Sequence, residues 1–226
     1  MKFKSADVHF NRNSVYYSAI SNPTACSAII YMAIPEGLKN SISTLPPAKF
    51  VSKWIFESVP HVFGGDLDKY IAWKHVLGDL ISVDPRAITL VGTASIGISF
   101  NPNKNFKPFD EKSDIDVAIV SHHHFDIVWR WMRTLGTAYL SLPAQAQTAI
   151  DDHRKRYLFK GVIATDRILA HTPLASKWVP ALSSMAGMDP TEGREINARL
   201  YADYDALRAY HVDGVRNLTR KILEEK

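Results

Sequence analysis

Residues 88–120 read ITLVGTASIGISFNPNKNFKPFDEKSDIDVAIV, a pattern that predicts a strand, a glycine turn, a helix start, a loop and a second strand. Its start, residues 87–91, is apolar and β-branched, which predicts a buried strand. Gly92 breaks the run, because glycine permits a sharp turn and a close approach of the backbone to a ligand. Residues 93–95 are expected to begin a helix, with a hydroxyl as N-cap and free backbone N–H groups that face an anion.

A second predicted strand, residues 113–120, carries two acids. Since alternate strand residues share a face, the apolar residues at 115, 117 and 119 are expected to face a core. Asp114 and Asp116 then share the other face, about 7 Å apart, where they repel each other unless a cation or a proton lies between them. Hard divalent ions take carboxylate oxygens together with substrate phosphates, so the pair predicts a site for Mg²⁺ or Mn²⁺.

Gly92 and Thr93, followed by Asp114-Ile115-Asp116, resemble the small-hydroxyl turn and Asp-x-Asp strand of the DNA polymerase β nucleotidyltransferase superfamily, in its minimal form. The resemblance implies that Gly92 and Thr93 contact a nucleoside triphosphate and that Asp114 and Asp116 hold the metals. Thr93 stands where serine is commoner, and the long interval before the acids makes residues 101–112 an insertion loop.

Two further hydroxyls, Ser95 and Ser113, are expected to contact the nucleotide as well. Lys104, Lys107 and Lys112 of the insertion loop either approach phosphates or remain solvated.

A third carboxylate usually completes the site in the resembling superfamily, on a strand beside the acidic pair. Residues 195–201 alternate between apolar and polar side chains and predict that strand. Glu195 is its only acid, and it is the third candidate catalytic residue. Asp166, which follows a predicted short strand at 161–164, is the alternative, whereas Asp203 is better explained as the N-cap of the final helix.

The three histidines at 122–124 are interpreted as a polar helix start. Adjacent residues in a turn do not converge on one ion as an i, i+4 pair does.

The pattern as a whole predicts an α+β fold, in which a small mixed β-sheet packs against several α-helices. Residues 1–45 form an N-terminal extension with strand-like segments at 15–17 and 28–32, and residues 46–226 form the nucleotidyltransferase-like domain. Helices are expected at 46–58, 66–82, 125–135, 143–157, 176–185 and 203–225.

Composition restricts the setting of the protein. The net charge is +4, from 27 basic and 23 acidic residues, and this permits contact with nucleic acid without requiring it. The single cysteine, Cys26, excludes an internal disulfide and fits a reducing cytoplasm. The longest apolar run, residues 25–34, is too short to span a bilayer, and the start of the chain does not read as a secretory signal. We therefore expect a cytoplasmic protein without a membrane partner.

The expected function is a Mg²⁺-dependent transfer of a nucleoside monophosphate from a triphosphate to a hydroxyl of an RNA end, a protein or another nucleotide. The resemblance also implies a role in prokaryotic antiviral defence or a toxin–antitoxin module. An alternative is a catalytically degenerate member that acts as an antitoxin or an interaction module and binds a partner protein through residues 1–45. The third interpretation is an α+β binding domain without nucleotide chemistry.

Overall fold

The computed structural model describes residues 36–100, 104 and 106–224, so the strand-like segments predicted at 15–17 and 28–32 lie outside it. Short 3-10 and π turns join several of its regular elements. In chain order, these elements are α1 (Glu36–Thr44), α2 (Pro47–Val51), α3 (Leu67–Ile81), β1 (Ile88–Val91), α4 (Gly92–Ile96), β2 (Ile115–Val120), α5 (His122–Thr134), α6 (Ala144–Asp152), β3 (Val162–Ala164), α7 (Ala175–Met185), β4 (Ile196–Tyr201) and α8 (Tyr204–Glu224).

The four strands form one mixed sheet in the order β1-β2-β4-β3. β2 is antiparallel to β1 and parallel to β4, which places Asp116 opposite Val91 on one side and Asn197 on the other. β3 is antiparallel to β4 at the edge, with Ala164 opposite Arg199. A small mixed sheet with several helices confirms the predicted α+β class, and β4 lies beside the acidic strand as expected.

Helices cover both faces of this sheet, because successive strand residues point to opposite sides. Ile115, Val117 and Ile119 are fully buried on one face, as predicted, in a core with residues of α3, α5, α6 and α7. The other face buries Ala118 and Tyr201 against α1, α2 and α8. By alternation, Asp116, Asn197 and Arg199 belong to this second face and therefore lie on the side that α8 covers.

The long helices begin where their capping residues predict. Asp66 caps α3 by accepting a hydrogen bond from Lys69 N at 2.9 Å, and Asp203 caps α8 by accepting one from Ala206 N at 2.7 Å. The apolar face predicted for α3, at residues 67, 70, 71, 74, 77, 80 and 81, is only partly buried, because Leu67, Ile71 and Leu80 are exposed. Tyr70, Leu77 and Ile81 of that face are buried as predicted, and Trp73, which lay outside it, is buried as well.

Other differences concern where helices start. α5 begins at His122, three residues earlier than predicted, because Ser121 caps it and accepts a hydrogen bond from His124 N at 3.4 Å. α1 was not predicted, and it buries Leu38 and Ile42 in the core beneath α8. The predicted helix at 143–157 is regular only as far as Asp152 and then continues as a π turn.

Within the part of the chain that the structure describes, no helix combines the length and apolar character needed to cross a membrane.

Candidate functional site

The turn after β1 approaches the acidic strand closely. Gly92 has a φ of +66°, and a Cβ added to it would lie 2.6 Å from Oδ2 of Asp116. Glycine is required here for both reasons, since other residues rarely adopt this backbone conformation and would also collide with the carboxylate. The hydroxyl N-cap that the sequence predicted is wrong, because Val91 occupies the N-cap position of α4 and no side chain caps the helix.

Asp116 is the most perturbed carboxylate of the site. Burial raises its pKa to about 6, and the nearby negative charge of Asp114 acts in the same direction. Arg199 and Lys104 oppose this shift, whereas Asp166 adds to it. Three acids and two cations thus act on one another around a single β2 side chain, an arrangement typical of a binding or catalytic site.

Asp114 lies just before β2 and is partly buried. Its Oδ2 accepts a hydrogen bond from Nδ2 of Asn197 on the neighbouring strand, at 3.3 Å. This contact links the predicted acidic pair to β4, the strand on which a third carboxylate was expected. The β4 side chain that meets Asp114 is an amide, Asn197, and not a carboxylate.

A cavity of about 100 Å³ lies between the glycine turn, the sheet and α8. Asp166, which follows β3, reaches this cavity together with Asp116, and it is therefore the better placed of the two candidate third acids. The cavity is lined by Val91, Gly92, Asp116, Asp166, Asn197, Ala198, Arg199 and His211.

Two side chains of the cavity have polar nitrogens without partners. Arg199 donates from Nη1 to the hydroxyl of Tyr210 at 2.7 Å, but its buried Nε has no hydrogen-bond partner among the described residues. The same holds for Nε2 of His211 on α8. Burial lowers the pKa of His211 to about 4, with the charge of Arg199 as a second cause, so this imidazole is neutral at pH 7. Buried polar atoms are normally satisfied, so both nitrogens indicate that a ligand or water completes the cavity.

The remaining predicted site residues lie outside the lining of this cavity. Thr93 and Ser95 are within α4, where Ser95 is buried and its hydroxyl has no partner among the described residues. The hydroxyl of Ser113 donates to Oδ1 of Asp110 at 2.9 Å, which closes the turn before the acidic strand. Glu195 is exposed just before β4. The functional roles of these four residues stay predictions.

Of the three insertion-loop lysines, Lys104 is the one whose charge acts on Asp116, although it is itself exposed. Lys107 instead pairs with Asp110 at 2.9 Å. Lys112 is exposed, and its backbone N–H donates to Asp110 Oδ1 at 3.1 Å. The loop therefore brings one cation toward the acidic strand.

The histidines at 122–124 form the first turn of α5, as interpreted. Nδ1 of His124 lies 2.8 Å from Oγ of Ser121, and its ring centroid is 5.3 Å from that of Trp178. Among the described residues, no group of three or more His, Cys, Asp or Glu side chains is positioned to hold a metal ion.

Sequence reasoning placed Asn197 and Arg199 on the polar face of the third strand but gave them no role in the site. It gave no role to His211 either, which lies in the helix predicted at 203–225. The available signal was a polar side chain on the strand face opposite Ile196, Ala198 and Leu200 for the first two residues, and a polar side chain on the buried side of a helix for His211.

No family model matches the chain, and no curated protein or solved structure matches it.

Proposed function

We propose that the protein has a nucleotidyltransferase fold and transfers a nucleoside monophosphate from a nucleoside triphosphate to a hydroxyl acceptor with the help of Mg²⁺ or Mn²⁺. One observation carries the proposal: the carboxylate of Asp116, whose pKa is raised, lies close against the backbone of the Gly92 turn. A Cβ at position 92 would be only 2.6 Å from its Oδ2. A cavity of about 100 Å³ borders both Gly92 and Asp116, and the carboxylates would supply ligands for the metal of a phosphate-bearing ligand there.

The residues present fit a magnesium ion. Mg²⁺ is usually held by one or two carboxylates, with substrate phosphates and water completing its shell, so a cage of three protein ligands is not needed. Asp114 and Asp116 would provide these carboxylates. Burial is the main cause of the raised pKa of Asp116, and the repulsion by Asp114 that adds to it would be relieved by a bound cation. The ion, when bound, would stabilise negative charge on the transferring phosphoryl group.

In the transfer, the acceptor oxygen bonds to the α-phosphorus while the bond from that phosphorus to the bridging oxygen breaks. Pyrophosphate leaves, and the hydroxyl proton passes to a base. Asp166 is the carboxylate of this chain that lines the cavity with Asp116 and remains exposed, so we assign it the role of receiving the proton. Arg199 and Lys104 would bind phosphate oxygens.

A second candidate function rests on β4. Its polar face presents Asn197 and Arg199 beside the acidic strand, and neither can accept a proton from a hydroxyl or bind a cation through a carboxylate. This favours a degenerate member that binds nucleotide and metal without transfer and acts as an antitoxin or interaction module through residues 1–45.

Labelled triphosphates separate the two functions. The full-length protein is incubated with each labelled triphosphate, with Mg²⁺ or Mn²⁺, and with cellular RNA and protein, and the label is then traced. The proposal expects label on an acceptor together with pyrophosphate release, both abolished in the Asp114→Ala, Asp116→Ala double variant. Equal activity of this variant and the parent would contradict the proposal.

Two single variants identify the third carboxylate. If Asp166 accepts the proton, Asp166→Asn lowers transfer about 100-fold or more while nucleotide binding persists, and Glu195→Gln has little effect. The reverse result would favour Glu195. If no acceptor is labelled by the parent, but Mg²⁺ with triphosphate raises its melting temperature and does not raise that of the double variant, the degenerate function holds instead.

A further inference from the structure

A second cleft opens beside the candidate site and shares one wall with it. Its volume is about 380 Å³, and Asp166 borders both this cleft and the smaller cavity that contains Asp116. The start of α6 and the turns that follow β3 form the rest. The cleft is lined by Pro143, Gln145, Ala146, Ala149, Asp166, Arg167 and His171.

The shared wall is held in place by buried contacts. Thr165 is fully buried, and its Oγ1 donates to the carbonyl of Ala198 at 2.5 Å, which ties the turn to the strand that carries Arg199. The backbone of Ala164, one residue earlier, donates to Nε2 of His153 at 3.0 Å. Asp166 and Arg167 therefore project from a fixed turn rather than from a loose loop.

The cleft is lined by one arginine, Arg167, and one carboxylate, Asp166, and Arg167 belongs to a cluster of cations around Asp152. Asp152 is shared by two arginines, with Arg167 Nη1 at 3.0 Å from Oδ2 and Arg156 Nε at 3.9 Å from Oδ1. The hydrogen bond from Arg167 is the main cause that lowers the pKa of Asp152, and the charges of Arg156 and Lys155 act in the same direction. Only Nη1 of Arg167 is used within the described residues, although a guanidinium carries five N–H donors.

The size of the cleft indicates what it can hold. At about 380 Å³ it lies at the lower end of the roughly 300–1,000 Å³ typical of small-molecule pockets, enough for one nucleotide-sized group. Arg167, His171 and Gln145 provide donors for phosphate oxygens, and the guanidinium also presents a flat face for a base.

We propose that this cleft binds the hydroxyl-terminated end of a single-stranded nucleic acid, holds its last phosphate, and presents the terminal hydroxyl across Asp166 to the cavity with Asp116. The identification of this strand as the acceptor rests on the proposed function, whereas its binding to the cleft does not. Arg167 contacts a phosphate, and Asp152 competes with that phosphate for the guanidinium.

The competition gives a test in which two variants break the same ion pair with opposite results. Binding of a fluorescently labelled single-stranded RNA oligonucleotide to the full-length protein is measured by anisotropy over a series of salt concentrations, without triphosphate. Arg167→Ala is expected to weaken binding about tenfold and to reduce the slope of log K against log salt by about 0.7, the value for one lost phosphate contact on a single strand. Asp152→Asn is expected to retain or strengthen binding, because it frees Arg167.

Arg130→Ala is the matched control, since it removes an equally charged, exposed side chain, paired with Asp126 on α5, that does not line the cleft. It is expected to bind the oligonucleotide as the parent does. The proposal is overturned if Arg167→Ala leaves the affinity and the salt slope unchanged. It is also overturned if Asp152→Asn weakens binding as much as Arg167→Ala, which would show a structural role for the pair, or if Arg130→Ala weakens it equally.

The test also separates this inference from the proposed function. Oligonucleotide binding is measured in the parent without triphosphate, so its outcome does not depend on transfer. A protein that binds RNA through Arg167 but never transfers a nucleotide supports the cleft and contradicts the transfer. A protein that transfers a nucleotide only to a protein hydroxyl and does not bind the oligonucleotide contradicts the cleft alone.

Discussion

Replacing Asp116 with asparagine tests the electrostatics on which the site depends. The pKa of this carboxyl rises from 3.8 to about 6 on folding. Because the folded-state pKa is the higher one, the contribution of Asp116 to the free energy of unfolding is most favourable below pH 3.8. It is lost as the pH rises through about 6. Above that pH, the charged carboxylate lowers the free energy of unfolding.

The size of the effect follows from the shift. Each unit is about 1.4 kcal/mol, so a shift of roughly two units gives an upper limit of about 3 kcal/mol near pH 8. Asp116→Asn removes the buried charge but also removes the favourable partner of Arg199, so the expected gain is about 2 kcal/mol. For a chain of this length, that corresponds to an increase in melting temperature of roughly 4–8 °C.

The assay is thermal unfolding by circular dichroism in metal-free buffer, near pH 8 and near pH 5. The variant should be more stable than the parent at the higher pH, and the difference should shrink at the lower pH, where folded Asp116 is mostly protonated. Glu111→Gln, at an exposed acid in the preceding loop, is the control and should show no such difference. An asparagine variant no more stable than the parent near pH 8, or one with an equal gain at both pH values, would refute the reasoning.

Two further changes test the turn and the scaffold. Gly92→Ala should lower the free energy of unfolding by about 1 kcal/mol or more beyond the loss caused by Gly136→Ala, and it should also weaken triphosphate binding. Both glycines have positive φ, but only a Cβ added at Gly92 meets Asp116. Equal losses for the two variants in urea unfolding would contradict this. His153 donates from Nδ1 to a carbonyl of α6 at 2.5 Å and accepts the N–H of Ala164. Burial lowers its pKa below 6.5, so its contribution is present above pH 6.5 and is lost as the pH falls. His153→Leu should cost about 2 kcal/mol at neutral pH and should flatten the loss of stability on acidification, and a variant that keeps the full acid sensitivity of the parent would disprove this.

Local pattern predicts much of the sheet. The alternation around Ile115, Val117 and Ile119 identifies β2 and its buried face, and the period of residues 195–201 identifies β4, whose place beside β2 was expected from the resemblance. These segments are predictable because one face of each strand must be apolar to enter a core, so the sequence period records the packing. Helix caps such as Asp203 are equally local.

The composition of the cavity was not predictable in the same way. Arg199 lies near Asp116 only because β4 pairs in parallel with β2 in one particular register, and His211 reaches the cavity only because α8 packs over that face. Both facts depend on contacts between distant parts of the chain. The turn containing Asp166 depends on a three-residue edge strand that gives a weak periodic signal.

Asp116 belongs to an inner strand that is hydrogen-bonded along both edges. Amide protons on such strands exchange with solvent through large openings of the molecule rather than through fraying, so the backbone beneath this carboxylate will be among the last to open. The side chain is consequently held in position before any ligand arrives. The proposed ligand would therefore require little reorganisation of Asp116 on binding.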